Sequence, residues 1–315
     1  TVAYIWQGGQ EGGIGTVDAL MGDAPPSGRL ADTIAKDIND YPCNACFGSA
    51  EVNVHKEDIY VGYRYFETFA KDKVLYPFGY GLNYTTFEQT ILKVEGTEDN
   101  IYLSVLVKNV GDYQGKEVVQ VYISKPQSGL GNPARELIAF EKTMLLLPKE
   151  EQTVDFVIDI KDLVSYDDSG KSGYAYAWVL EKGEYGIYIG KNVREANLAY
   201  VFKEKETRLV KQCVQALALT KTLERMTING ESLAWEQAPT AKYDVRQRIK
   251  ENLPKALEIT GDKGITLQDV TNGKKTLDEF ISQFDETSLM KLVRGEGMSS
   301  PKAPVPGTGS CFGGV

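Results

Sequence analysis

Tyr60-Val61-Gly62-Tyr63-Arg64-Tyr65-Phe66 and Tyr76-Pro77-Phe78-Gly79-Tyr80-Gly81-Leu82-Asn83-Tyr84-Thr85-Thr86-Phe87 decide how this chain divides. Two aromatic-rich segments lie about ten residues apart, each interrupted by glycine. Glycine allows tight turns and close backbone approach. Aromatic rings bury large area with few rotatable bonds. The residues alone therefore predict a crowded junction between two packed units.

Downstream of the junction, residues 101–107, 118–123, 153–160, 174–180 and 185–189 are strand-like runs. Turn signals separate them: Asn109-Val110-Gly111-Asp112, Pro148-Lys149-Glu150, Asp167-Asp168-Ser169-Gly170 and Lys182-Gly183-Glu184. About seven short strands with regular turns predict an antiparallel all-β sandwich over residues 85–203. Upstream, residues 1–84 have the character of the end of an α/β domain. The apolar run at residues 2–6 is expected to be a buried strand. It leads into Gln7-Gly8-Gly9-Gln10-Glu11-Gly12-Gly13, and residues 16–21 predict a short helix stopped by Gly22. This glycine spacing fits neither a dinucleotide fingerprint nor a phosphate-binding P-loop.

After the sandwich, Leu209, Cys213, Val214 and Leu217 lie near helical spacing, and Thr227-Ile228-Asn229-Gly230 signals a turn. Residues 243–257 can form a further helix weakened by Pro254. Residues 204–275 are accordingly expected to be a helical connector. Thr276-Leu277-Asp278-Glu279 fits a capping box, Asp285 can cap a second helix, and Gly295 is expected to end it. A glycine- and proline-rich loop follows.

Composition is that of a globular protein, with 42% hydrophobic and 25% charged residues among 315. A net charge of -9 argues against a nucleic-acid partner, and no run approaches the roughly 18 apolar residues of a membrane helix. Cys43-Asn44-Ala45-Cys46 is a C-x-x-C, but no second such motif follows and His55 is the only histidine. A four-ligand metal site is not expected. Pro42 and Gly48 place the motif in a loop, so Cys43, Cys46, Cys213 and Cys311 are expected to be free thiols, which fits a cytoplasmic location.

The aromatic pair resembles the end of the second domain of glycoside hydrolase family 3, of the β-glucosidase type, where it leads into a fibronectin type III-like domain. Further residues carry the same resemblance: Trp6-Gln7-Gly8-Gly9-Gln10-Glu11-Gly12-Gly13, then Gly22-Asp23-Ala24-Pro25-Pro26-Ser27-Gly28-Arg29-Leu30, residues 108–124, residues 136–142 and residues 178–190, in the family's order. Residues 276–315 resemble the opening of the family's TIM-like barrel. Its place after the sandwich implies the reversed-order subgroup. The chain is then expected to be an interior piece of a longer enzyme, divided into residues 1–84, 85–203, 204–275 and 276–315.

Retaining glycosidases need a carboxylate nucleophile and a carboxylic acid about 5–5.5 Å apart, in unlike environments. The resemblance implies that the nucleophilic Asp follows Val315 and that the acid/base Glu precedes Thr1. No catalytic residue is therefore assigned to this chain. Glu11, Glu57 and Glu67 are read as surface or structural groups. Residues 7–13 either face an interdomain cleft or form a tight strand-to-helix turn, and their glycines favour the turn. Arg64, between Tyr63 and Tyr65, either binds a sugar carboxylate or pairs within the structure, and its aromatic neighbours favour a stacked, ion-paired structural role. Met298 matches a family position that lines the aglycone entrance, where it offers a soft contact surface or simply packs.

The expected parent is a retaining β-glucosidase acting on terminal, non-reducing β-D-glucosyl residues. Its partners are a β-glucoside or oligosaccharide substrate and the remaining segments of the same enzyme, with neither metal nor organic cofactor implied. A β-xylosidase of the same family and a non-catalytic structural or carbohydrate-binding module are the alternatives.

Overall fold

The computed structural model describes residues 2–127, 129–215 and 218–294. The chain forms two compact units, residues 1–242 and 243–315.

In the first unit, helix α1 (Gly12–Met21) stops at Gly22, whose φ of +91° is a left-handed cap that L residues resist. Short strands β1 (Ile34–Ala35) and β2 (Val74–Tyr76) pair antiparallel around helix α2 (Tyr63–Phe69). Residues 2–6, expected to be a buried strand, form no strand. Val2, Tyr4, Ile5 and Trp6 are 60–82% exposed. A strand exists only by pairing, and among the described residues no neighbour supplies a ladder. Helix α1 likewise buries no residue.

The sandwich follows. Strands β3 (Phe87–Gly96), β4 (Asn100–Asn109) and β7 (Glu151–Asp159) form one sheet in the order β3-β4-β7. Strands β5 (Val118–Ser124), β6 (Glu136–Lys142), β10 (Gly183–Gly190) and β11 (Asn197–Glu204) form the other, ordered β11-β10-β5-β6. All pairs are antiparallel. Side chains alternate across a strand, so Ile101, Leu103, Val105 and Val107 of β4 meet Val119, Val121 and Ile123 of β5 in one core. Val154, Phe156 and Ile158 of β7 and Tyr185, Ile187 and Ile189 of β10 complete it.

Strands β8 (Ser165–Asp167), β9 (Ala177–Leu180) and β12 (Arg208–Gln212) add a third sheet, ordered β12-β9-β8. Strands β13 (Glu224–Asn229) and β14 (Ser232–Gln237) form a hairpin around Gly230-Glu231. These strands correct the helical connector expected over residues 204–275. Leu209 and Cys213 are four apart, a spacing that both a helix and a strand place on one side, and β9 offers a free edge that settles the choice for β12. Gly230 at the first loop position, with a φ of +64°, is an ordinary signature of a two-residue hairpin, stronger than the bare turn expected there.

The second unit carries helices α3 (Val245–Glu251), α4 (Leu267–Thr271), α5 (Leu277–Ile281) and α6 (Glu286–Arg294). Helix α3 ends before Pro254. The capping box at Thr276 is present in both directions, with Glu279 N–H donating to Thr276 Oγ1 and Thr276 N–H to Glu279 Oε2. Asp285 accepts the Ser288 N–H at 2.9 Å. Helix α4 starts at its own Thr266–Asp269 capping box.

Candidate functional site

The aromatic junction forms as its sequence predicts. Tyr63 stacks on Phe78 with ring centroids 4.3 Å apart, and both rings meet the edge of Tyr122 on β5. Tyr63 Oη accepts the Leu137 N–H, and Thr68 Oγ1 accepts the Ala134 N–H. Two ion pairs join the same segments: Arg29 with Glu117, and Arg194 Nε with Glu67 Oε1 at 3.0 Å. Glu67 and Glu117 are buried, and a guanidinium faces each of them.

A second cluster lies beside this junction, centred on Arg225 of β13. Its guanidinium makes a bidentate pair with Asp168, at 2.6 and 3.0 Å. Its Nε donates to Glu236 Oε1 at 3.0 Å, and Nη1 lies 3.1 Å from Asp58 Oδ2. Burial works against the charge on Arg225, but the Asp168 contacts outweigh it and hold the group protonated. Burial likewise opposes ionisation of Glu236, yet Lys171 and Arg225 together keep its carboxyl below the usual range. The hairpin is also tied by its backbone, through the Met226 N–H donating to Lys56 O.

Asp167, fully buried, builds the loop that presents Asp168 and Lys171. It accepts the Ser169, Gly170 and Ser172 N–H groups at 2.7–2.8 Å. Burial opposes its charge, but the Ser172 and Ser169 hydrogen bonds prevail and hold its carboxyl at about 2 against an ordinary 3.8. A depressed folded value means that the stabilisation is complete above the ordinary value and is lost as pH falls through about 2. Asp167→Asn should therefore cost on the order of 2 kcal/mol at neutral pH. The difference from the parent, followed by urea unfolding at a series of pH values, should shrink between pH ~4 and ~2.

Two open clefts of about 330 and 350 Å³ flank the Arg225 cluster. Asp168 and Glu236 are committed to cations in these walls, and Glu236 is held ionised rather than poised as an acid. Among the described residues no cluster has the makings of a metal site.

The sequence candidates fall as follows. Glu11 is exposed beside α1 and makes no side-chain cap. Glu57 is buried, with one oxygen 3.2 Å from His55 Nδ1 and the other without a hydrogen bond. Residues 7–9 are irregular and exposed, and α1 begins at Gly12. Cys43, Cys46 and Cys213 are free, the first two on a single 3₁₀ turn. Met298 lies outside the described residues, as do Cys311 and the end that Gly295 was expected to give α6. Arg64 corrects its expectation: it is half-buried in the wall of the larger cleft, yet among the described residues its guanidinium has no ion pair, hydrogen bond or stacked ring. Tyr63 and Tyr65 face other rings instead. Sequence reasoning missed Arg225, which gathers Asp58 and Asp168 from distant segments and Glu236 from the facing strand of its own hairpin.

A two-sheet antiparallel sandwich fused through an aromatic junction to an α/β segment defines the class. Residues 2–84 match the glycosyl hydrolase family 3 C-terminal domain, and residues 117–193 match the fibronectin type III-like domain. Over its whole length the chain is 50% identical to a β-glucosidase of Ruminococcus albus, of which it covers 33%. Over 99% of its length it is 37% identical to β-glucosidase A of Butyrivibrio fibrisolvens, of which it covers 44%. The crystal structure of a β-glucosidase from Paenibacillus barengoltzii superposes with a TM-score of 0.80 and 43% identity, over 95% of this chain and 34% of that one. The chain carries the C-terminal domain of glycosyl hydrolase family 3 followed by a fibronectin type III-like domain. It spans about a third to under half of the length of these relatives.

Proposed function

We propose that the chain is the non-catalytic middle of a retaining β-glucosidase, which removes terminal, non-reducing β-D-glucosyl residues with groups supplied outside residues 1–315. The observation that carries this reading is the end-to-end identity of 50% with the Ruminococcus albus β-glucosidase. It runs through the sandwich and on into the helices that follow. The match is continuous, so the relative carries the segment that follows the sandwich in the same order.

The surface supports the reading as well. Ile14, Val17, Leu20 and Met21 of α1 are 56–74% exposed, as is the apolar run before it. Exposed apolar area of this kind calls for a covering partner, and the remaining segments of the same enzyme supply one. Met298 would then stand near the aglycone entrance. Free thiols at Cys43 and Cys46 suit a reducing compartment. Among the described residues no helix is long and apolar enough to cross a membrane.

The test uses the longer protein that contains this chain, assayed with nitrophenyl β-glucoside and β-xyloside while the anomer of the released sugar is followed by NMR. The reading expects faster glucoside cleavage and β-glucose as the first product. A preference for xyloside, or α-glucose appearing first, would overturn it.

A further inference from the structure

The larger cleft holds the one arrangement that the enzymatic reading leaves unused. Tyr166 of β8 and Trp178 of β9 are register partners, so their side chains leave the sheet on the same face. Their rings lie 5.2 Å apart, and each residue is 40% exposed. Both line the cleft of about 350 Å³. Two large rings, tilted 56° to each other and left half in water, form an apolar wall beside a polar rim.

Arg64 stands in another part of the same lining. Its guanidinium offers five donors and, among the described residues, spends none of them. The neighbouring cations are already engaged: Lys125 with Glu136, Lys171 with Glu236, and Arg225 with its three carboxylates. The lining contains as many carboxylates as cations. A charge-balanced cleft dense in donors and acceptors, with an aromatic wall, suits a neutral ligand that has hydroxyls around its edge and C–H groups on its face. An anion would gain from Arg64 but would also meet Asp58, Asp168 and Glu236 in the same lining. A simple apolar ligand would leave the Arg64 donors unsatisfied.

We propose that this cleft is a non-catalytic binding site for a neutral oligosaccharide, with Trp178 and Tyr166 as the stacking wall and Arg64 as the hydroxyl donor. The inference stands on the cleft alone and does not depend on where hydrolysis takes place. Its effect would be to hold a chain of sugars on the sandwich, away from the reacting bond.

Calorimetric titration of the 315-residue protein with cellotriose tests the site, with trigalacturonate as the anionic counterpart. Saturable binding of cellotriose is expected, with little or none of trigalacturonate. Trp178→Ala and Arg64→Gln should each weaken it about tenfold, as the loss of a central aromatic or arginine anchor does. Trp235→Phe, outside the lining, should leave it unchanged. Among the described residues the Arg64 guanidinium has no bond within the fold to lose, so Arg64→Gln carries the test even if Trp178→Ala lowers stability. Absence of saturation by the parent, a preference for trigalacturonate, or an Arg64→Gln protein that binds like the parent would each overturn the proposal.

Discussion

Gly79→Ala should destabilise the first unit by about 4 kcal/mol or more, as the sum of backbone strain, overpacking and lost hydrogen bonds. Gly79 has a φ of +79°, where an L residue is strained. A Cβ there would sit 2.0 Å from Gln120 Oε1 and 2.9 Å from Tyr122 Oη. Gln120 has no freedom to withdraw. It is 3% exposed, its amide donates to the Gly79 and Lys191 carbonyls, and its oxygen accepts the Tyr122 hydroxyl. Relieving the clash breaks that set or shifts the turn carrying Phe78, which stacks on Tyr63. Gly173→Ala is the control: its φ is +95° but nothing lies within 4 Å of its Cβ. It should cost only about 1 kcal/mol. Equal urea midpoints for the two variants would show that the junction is looser than described.

Arg225→Met should cost about 3 kcal/mol, since removing one member of a partly buried ionic cluster strands the others. Asp58, Asp168 and Glu236 would then face one another with only Lys171 between them. Their mutual repulsion raises their folded pKa values, so the penalty is present at neutral pH and is relieved as pH falls and they protonate. The difference between parent and variant should therefore narrow on acidification. Loss of the anchor should also open the β13–β14 hairpin to proteolysis ahead of the sandwich. A variant with parental stability at pH 7, or a difference that widens in acid, contradicts this account of the cluster.

Where local pattern and tertiary packing agree, the fold was legible in the sequence. Ile101, Leu103, Val105 and Val107 alternate on β4 because one face of the strand meets the core. Gly22 ends α1, and Thr276 with Glu279 starts α5, because these signals act within a few residues. Positions whose state depends on a distant partner were not legible. Leu209 and Cys213 fit two periodicities until β9 supplies an edge. The run at residues 2–6 has the composition of a strand and no strand beside it. Arg64 looked paired because its neighbours are aromatic, yet Tyr63 packs on Phe78 and Tyr65 on Phe66 and Phe69, which leaves the guanidinium to the cleft. Arg225 escaped notice because Asp58, Asp168 and Glu236 converge on it only after the hairpin folds back. The cleft aromatics are equally silent in sequence, since Tyr166 and Trp178 face each other only through the pairing of β8 with β9.

The most direct test of the central claim is turnover of nitrophenyl β-glucoside by the purified 315-residue protein, beside the longer protein that contains it. The account predicts hydrolysis by the longer protein and a rate indistinguishable from the enzyme-free blank for the 315-residue chain. Sustained hydrolysis by the 315-residue chain, abolished by substituting one of its own carboxylates, would contradict the placement of the catalytic pair outside it.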